Sequence, residues 1–186
     1  GLPPPVAVQV TPTLAVYQVP LTGELVWVTM VGSPAPIDKI LGKFTRQLTN
    51  GQLRVEDLPR APAGAPALPA RSIVNSYFNI TVVNATAQDI FQGHLTFYVE
   101  KSWLQANQAH KWSVLLYRLD EASRQWVSLS TQRTREEGNR VYYTAPLPGF
   151  STFAIVGSVE LPPVQFEVTD LRISPTLTAQ GAPVTV

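Results

Sequence analysis

The chain has 186 residues, 45% of them hydrophobic, and a formal net charge of +1, which suits one globular domain with a sizeable core and room for a fragment of a second. Ten arginines and four lysines are scattered without forming a basic stripe, so nucleic acid is not an expected partner. The absence of cysteine excludes disulfides, cysteine zinc sites and thiol nucleophiles together.

No run reaches the roughly 18 apolar residues of a membrane helix, so no transmembrane segment is expected. Residues 1–5 lack the charged start and apolar centre of a signal peptide, and a processed chain is expected. Seventeen prolines, eleven glycines and a supply of Val, Thr, Tyr, Phe and Trp favour short strands joined by turns. The predicted class is all-β, an antiparallel β-sandwich of immunoglobulin-like type with an additional terminal strand segment.

In chain order, residues 1–13 form a proline-rich N-terminal segment, and the runs 6–10 and 14–19 favour strands that Pro12 and Pro20 confine to edges or ends. Residues 25–31 are a continuous, β-branched apolar run, the pattern of a strand buried on both faces. Ile37, Ile40, Leu41, Phe44 and Leu48 have helical spacing, yet Asn50-Gly51 is both a helix stop and a hairpin signal. Of the two, a hairpin over 37–58 is preferred, with Leu48 facing Leu53 and with Leu53 and Val55 on one face. Residues 59–70, rich in proline and alanine, read as an extended surface loop that buries little.

From residue 72 the alternation sharpens. Val74, Phe78, Ile80 and Val82 alternate with Tyr77, Asn79 and Thr81, and Leu95, Phe97 and Val99 repeat the pattern. With 112–119 and 126–131 they predict an antiparallel meander. A charged loop over 132–140, turning at Gly138-Asn139, leads through Val141-Tyr142-Tyr143-Thr144 to Pro148-Gly149-Phe150-Ser151-Thr152-Phe153-Ala154-Ile155-Val156-Gly157, a turn and a closing strand. Residues 159–163 read as a linker. The segment 164–186 begins something new, with an apolar phase that shifts between Val168 and Leu171.

The order Phe97, Val99, Trp103, Leu104, Leu116, Arg118, Trp126, Leu129, Thr131, Gly149, Phe150, Ser151, Phe153, Ala154 and Ile155 resembles the PGF-pre-PGF domain of archaeal and some bacterial cell-surface proteins, over about residues 14–159. The resemblance implies a core built on Phe97, Val99, Trp103, Trp126, Gly149, Phe150, Ser151, Phe153 and Ile155. It also implies a secreted, non-catalytic β-domain of a modular surface protein. Residues 164–175, with Ser174-Pro175 and then Gly181, are similar to the first strand of bacterial cell-adhesion-related immunoglobulin-like repeats. Val164, Phe166, Val168, Leu171 and Ile173 are therefore candidates for strand addition to a neighbouring copy.

The chemistry-bearing residues support no enzyme. His94 and His110 stand alone at non-ligand spacing, no calcium loop is present, and solvated or turn roles are favoured over metal binding. Glu136-Glu137 could touch a cation, although a charged hairpin tip is usually only solvated. Ser151 lacks the second glycine of a nucleophile elbow and precedes a strand. No cofactor is expected. Trp27, Trp103 and Trp126 are assigned to the core, which leaves Trp112 as the candidate ligand aromatic. Asn79-Ile80-Thr81 and Asn84-Ala85-Thr86 match the N-glycosylation pattern. The expected role is an extracellular subunit of a surface layer or filament, associating with its own copies or with other envelope proteins. The alternative is a module that binds polysaccharide or mediates adhesion.

Overall fold

The computed structural model describes residues 7–19, 25–46, 50–86 and 89–159. The strands are β1 (Ala7–Val10), β2 (Leu14–Gln18), β3 (Val26–Thr29), β4 (Ile37–Phe44), β5 (Gln52–Leu58) and β6 (Ile73–Val83). They continue with β7 (Ile90–Glu100), β8 (Leu115–Asp120), β9 (Gln125–Leu129), β10 (Gln132–Glu137), β11 (Arg140–Pro146) and β12 (Thr152–Gly157). Between β7 and β8 lie one short helix, α1 (Lys101–Ala106), and a 3-10 turn, Lys111–Ser113. The described strands build two antiparallel sheets packed face to face, ordered β1-β2-β5-β6-β12-β8-β9 and β10-β11-β7-β4-β3. The molecule is an all-β sandwich.

Alternation explains the core. Phe78 and Ile80 of β6, Leu95, Phe97 and Val99 of β7, Val141 and Tyr143 of β11, and Phe153 and Ile155 of β12 all point inward and are buried. Each sheet is centred on an aromatic pair that faces directly across neighbouring strands. Phe153 stands opposite Phe78 and Tyr143 opposite Phe97, both pairs stacked with ring centroids 5.5 Å apart. Such pairs add to the energy of area burial.

The chain order of strand pairing differs from the sequence reading in four places. Residues 37–58 supply two strands, but β4 pairs with β3 and β7 whereas β5 pairs with β2 and β6, so the expected hairpin is a crossover between sheets. A strand with one apolar face satisfies alternation equally well beside its neighbour or across the core from it. Asn50, in the left-handed region at φ 52°, leads instead into β5. The Gly51 carbonyl there accepts the backbone N–H of Val19 and the Gln18 carboxamide.

The expected meander is likewise divided: β6 and β8 lie in one sheet and β7 in the other, and of these strands only β8 and β9 pair consecutively as a hairpin. Residues 7–10, expected as an edge strand, pair with β2 as β1 and so join the sandwich that was expected to begin at residue 14. The expected charged loop over 132–140 is a hairpin, β10 and β11 joined by a two-residue turn in which Gly138 takes φ 57°.

Two burial expectations are also corrected. The run 25–31 forms an edge strand buried on one face: Val28 and Met30 enter the core, while Trp27 is 50% exposed with the Lys39 ammonium 4.4 Å from its ring centroid. Residues 59–70 form a surface loop, as expected, with none of them fully buried. Trp126 of β9, opposite Leu119 of β8, donates its indole N–H to the Pro66 carbonyl at 2.9 Å, so the loop passes over the outer face of the seven-stranded sheet. Trp126 is thus held beneath this loop, beside Tyr77, and not in the core between the sheets. Four prolines leave the loop few N–H groups to satisfy, which suits it to cover apolar surface. Residues 164–186 lie outside the described residues.

Phe153→Ala is expected to cost about 3–5 kcal/mol, because Phe153 is fully buried and stacked on Phe78. His94→Ala, at an exposed position on β7, should stay within about 0.5 kcal/mol. Urea denaturation midpoints check both, and an unchanged midpoint for Phe153→Ala would contradict the packing described.

Candidate functional site

Helix α1 follows directly on the central strand β7. Glu100, before its first turn, offers no side-chain cap. The β10–β11 turn supplies one instead: the Asn139 carbonyl accepts the Lys101 N–H at 2.7 Å and its carboxamide oxygen accepts the Ser102 N–H at 3.3 Å, satisfying donors that a helix start leaves open. Gln108, at φ 52°, ends the helix, and the Ala109 N–H returns to the Leu104 carbonyl in the manner of a left-handed cap.

The segment after the helix is pinned to the sandwich at three points. The His110 N–H donates to the Ser158 carbonyl at 3.0 Å. The Ser158 N–H donates to Ser113 Oγ at 2.7 Å. The buried Tyr143 hydroxyl donates to the Lys111 carbonyl at 2.6 Å, and burial pushes its pKa up. Gly157, at the end of β12, lets Trp103 close against the strand, since a Cβ there would lie 3.2 Å from the indole.

Between this segment and β10–β11 opens a cleft of about 560 Å³. Leu104, Ala109 and Val141 give it an apolar floor, and Lys101, Lys111, Trp112 and Glu136 line its wall. Trp112 is 57% exposed. The Arg133 guanidinium lies 3.8 Å from its ring centroid and the Lys111 ammonium 5.6 Å away, within the range of cation–π attraction.

A bulge creates the charged cluster. In β10 the register shifts between Arg133 and Arg135: Arg133 pairs with Tyr143, Arg135 with Tyr142 and Glu136 with Val141. In a regular strand residues three apart point to opposite faces. The extra residue puts Arg133 and Glu136 on the same side, toward the cleft, and sends Arg135 to the outer face, 3.7 Å from the Tyr142 ring.

Three cations then converge on one carboxylate. Glu136 accepts from Arg133 at 2.6 Å and Lys111 at 2.8 Å and lies 3.3 Å from Lys101. Hydrogen bonding to the Lys111 ammonium, and next to that of Lys101, holds its carboxyl at about 2. The preferred reading of Glu136-Glu137 as a merely solvated hairpin tip is corrected accordingly: Glu136 is held by three cationic side chains and Glu137 faces Arg135 at 3.5 Å.

The remaining predicted residues are dispersed. Phe97, Val99, Phe150, Phe153 and Ile155 are buried in the core, Gly149 is buried, and Trp103 packs against the core from the helix. Ser151 Oγ lies 2.7 Å from the Leu119 carbonyl and 2.9 Å from Glu121 Oε2, partners that tie the turn before β12 to the end of β8. Asn84 is exposed beyond the end of β6, with its carboxamide donating to the Asn50 carbonyl. Asn79 is half-buried, its oxygen accepting from Thr152 at 3.3 Å. His94 and His110 are both exposed: one lies on β7, and the other immediately precedes the 3-10 turn.

Among the described residues no group of three His, Cys, Asp or Glu side chains could hold a metal ion, and no helix is long and apolar enough to cross a membrane. Val164, Phe166, Val168, Leu171 and Ile173 lie outside the described residues. No protein-family model matches the chain, and no curated protein matches it. The cluster around Glu136 is the feature that sequence reasoning missed. Its only outward sign was the alternation of Arg133, Arg135, Glu136 and Glu137 in a stretch read as a loop.

Because the Glu136 carboxyl is depressed from 4.5 to about 2, the stabilisation it brings is fully present above about pH 5 and fades as pH falls toward 2. Glu136→Gln should therefore lower the denaturation midpoint at neutral pH and leave it unchanged near pH 2. Melts across this range check the sign, and a difference that grew on acidification would contradict it.

Proposed function

We propose that the chain is a non-catalytic module of an extracellular surface protein, a subunit of a layer or filament in which copies meet through open sheet edges. One observation carries the reading. Among the described residues β3 and β1 are edge strands: β3 bears an exposed Trp27 between exposed Leu25 and Val31, and exposed Val10 of β1 lies beside Gly32. Apolar side chains along a free ladder edge are a template for strand addition, which natural edges usually block with charge or proline. Further support is the resemblance of residues 14–159 to the PGF-pre-PGF domain, which implies a secreted, modular setting. The structural partners of Ser151 and Glu136 also suit a non-catalytic role. A head-to-tail contact of this kind builds an open filament where its rotation does not close.

Wild-type protein is expected to self-associate as its concentration rises, and Trp27→Lys should shift the mass distribution toward monomer without altering the fold. Sedimentation velocity with circular dichroism checks this. A wild type that stays monomeric throughout, or association unaffected by Trp27→Lys, would contradict the proposal.

A second reading, saccharide binding, is favoured by the exposed Trp112 indole at the rim of the cleft, because a flat, half-open aromatic face above a partly apolar floor suits the C–H face of a sugar ring.

A further inference from the structure

We propose that the cleft beside Trp112 binds uronate-containing oligosaccharides, with the Glu136 carboxylate occupying the position of the ligand's carboxylate. The inference rests on the saccharide-binding reading and assigns its chemical class. Lys101 and Lys111, which line the cleft, and Arg133, which lies against Trp112, carry three positive charges against the single negative charge of Glu136, which leaves two in excess in the cluster. A carboxylate is the anion these groups already hold, with N–O distances of 2.6–3.3 Å. Charge-assisted bonds of this kind are stronger than neutral ones and favour planar carboxylates at a guanidinium.

The sugar half of the ligand is indicated by what stands next to the charges. The Arg133 guanidinium covers one face of the Trp112 ring at 3.8 Å and the Lys111 ammonium is 5.6 Å from its centroid, so a pyranose stacked on the opposite indole face would bring an equatorial carboxylate around the ring edge toward Lys111. Gln105 and Gln108 line the same cleft and are exposed, and their carboxamides can both donate to and accept from ring hydroxyls.

The site is also preformed. Lys111 is held through its own carbonyl by Tyr143, and Arg133 is aimed by the β10 bulge, so little ordering cost remains on binding. In the free protein Glu136 keeps the cations from repelling one another. An arriving carboxylate shares or displaces it, and binding weakens as salt screens the cluster.

The test is calorimetric titration of the full chain with trigalacturonate, a neutral trisaccharide of the same linkage, a sulfated trisaccharide and a triglutamate peptide. Trigalacturonate is expected to bind at least about tenfold more tightly than the neutral sugar. Trp112→Ala and Lys111→Ala should each weaken it about tenfold, Lys111→Arg should restore it, and Glu136→Gln should tighten it. Melting curves confirm that each variant is folded.

Trigalacturonate that binds no more tightly than the neutral sugar, or that is indifferent to Lys111→Ala, overturns the uronate assignment. If the neutral sugar still binds through Trp112, the saccharide reading survives. If neither sugar binds, both fail. Tighter binding of the sulfated sugar moves the ligand to sulfate esters, and triglutamate binding as tightly as trigalacturonate moves it to acidic peptides. Either result defeats the proposal, as does Glu136→Gln that loosens trigalacturonate.

Discussion

All six residues of β12 are buried, and this double-sided burial is the constraint on which the rest of the structure depends. The strand lies between β6 and β8 in the seven-stranded sheet. Its inner face, Phe153 and Ile155, joins the core between the sheets, and its other face carries Thr152, Ala154 and Val156. A sandwich covers only one face of each sheet, so a buried outer face calls for a third layer. The proline-rich loop fastened at Pro66 by Trp126 runs over this side of the sheet. Loop, closing strand and core are therefore one packing problem.

The end of the same strand builds the cleft. Gly157 receives Trp103 and Ser158 exchanges hydrogen bonds with His110 and Ser113, which fixes the helix and turn that carry Lys101, Lys111 and Trp112. The opposite wall comes from β10, where one extra residue turns Arg133 and Glu136 to the same side. Neither wall belongs to a long insertion. Both walls thus stand on regular elements of the sandwich, which holds the ion pairs around Glu136 together.

The sandwich was legible because its inner faces alternate cleanly: Phe78 and Ile80, Leu95 to Val99, and Phe153 with Ile155 each mark a half-buried strand. Strand pairing was not legible. Alternation states that one face of β4 and one face of β5 are apolar, and this holds whether they lie side by side or face each other through the core. Trp27 and Trp126 show the limit of counting a tryptophan as core. Trp27 lies on the open face of an edge strand, where Lys39 partly covers it, and Trp126 needs a partner for its indole N–H and finds one in the covering loop. The cluster at Glu136 was hidden for a different reason. A regular strand separates residues 133 and 136, and nothing in the local sequence announces the bulge that unites them. Helix α1 was missed because its cap, Asn139, comes from a distant turn.

The central claim is that the closing strand and the cleft wall form one cooperative unit. Native-state hydrogen exchange tests it most directly, since amides that open only on global unfolding share the slowest rates. The account predicts that the amides of Ala154, Ile155, His110 and Ser158 exchange together, within about tenfold of one another, and more slowly than those of edge strand β3. Fast exchange at His110 and Ser158 with Ala154 and Ile155 still protected would contradict it, by showing that the cleft opens independently of the strand.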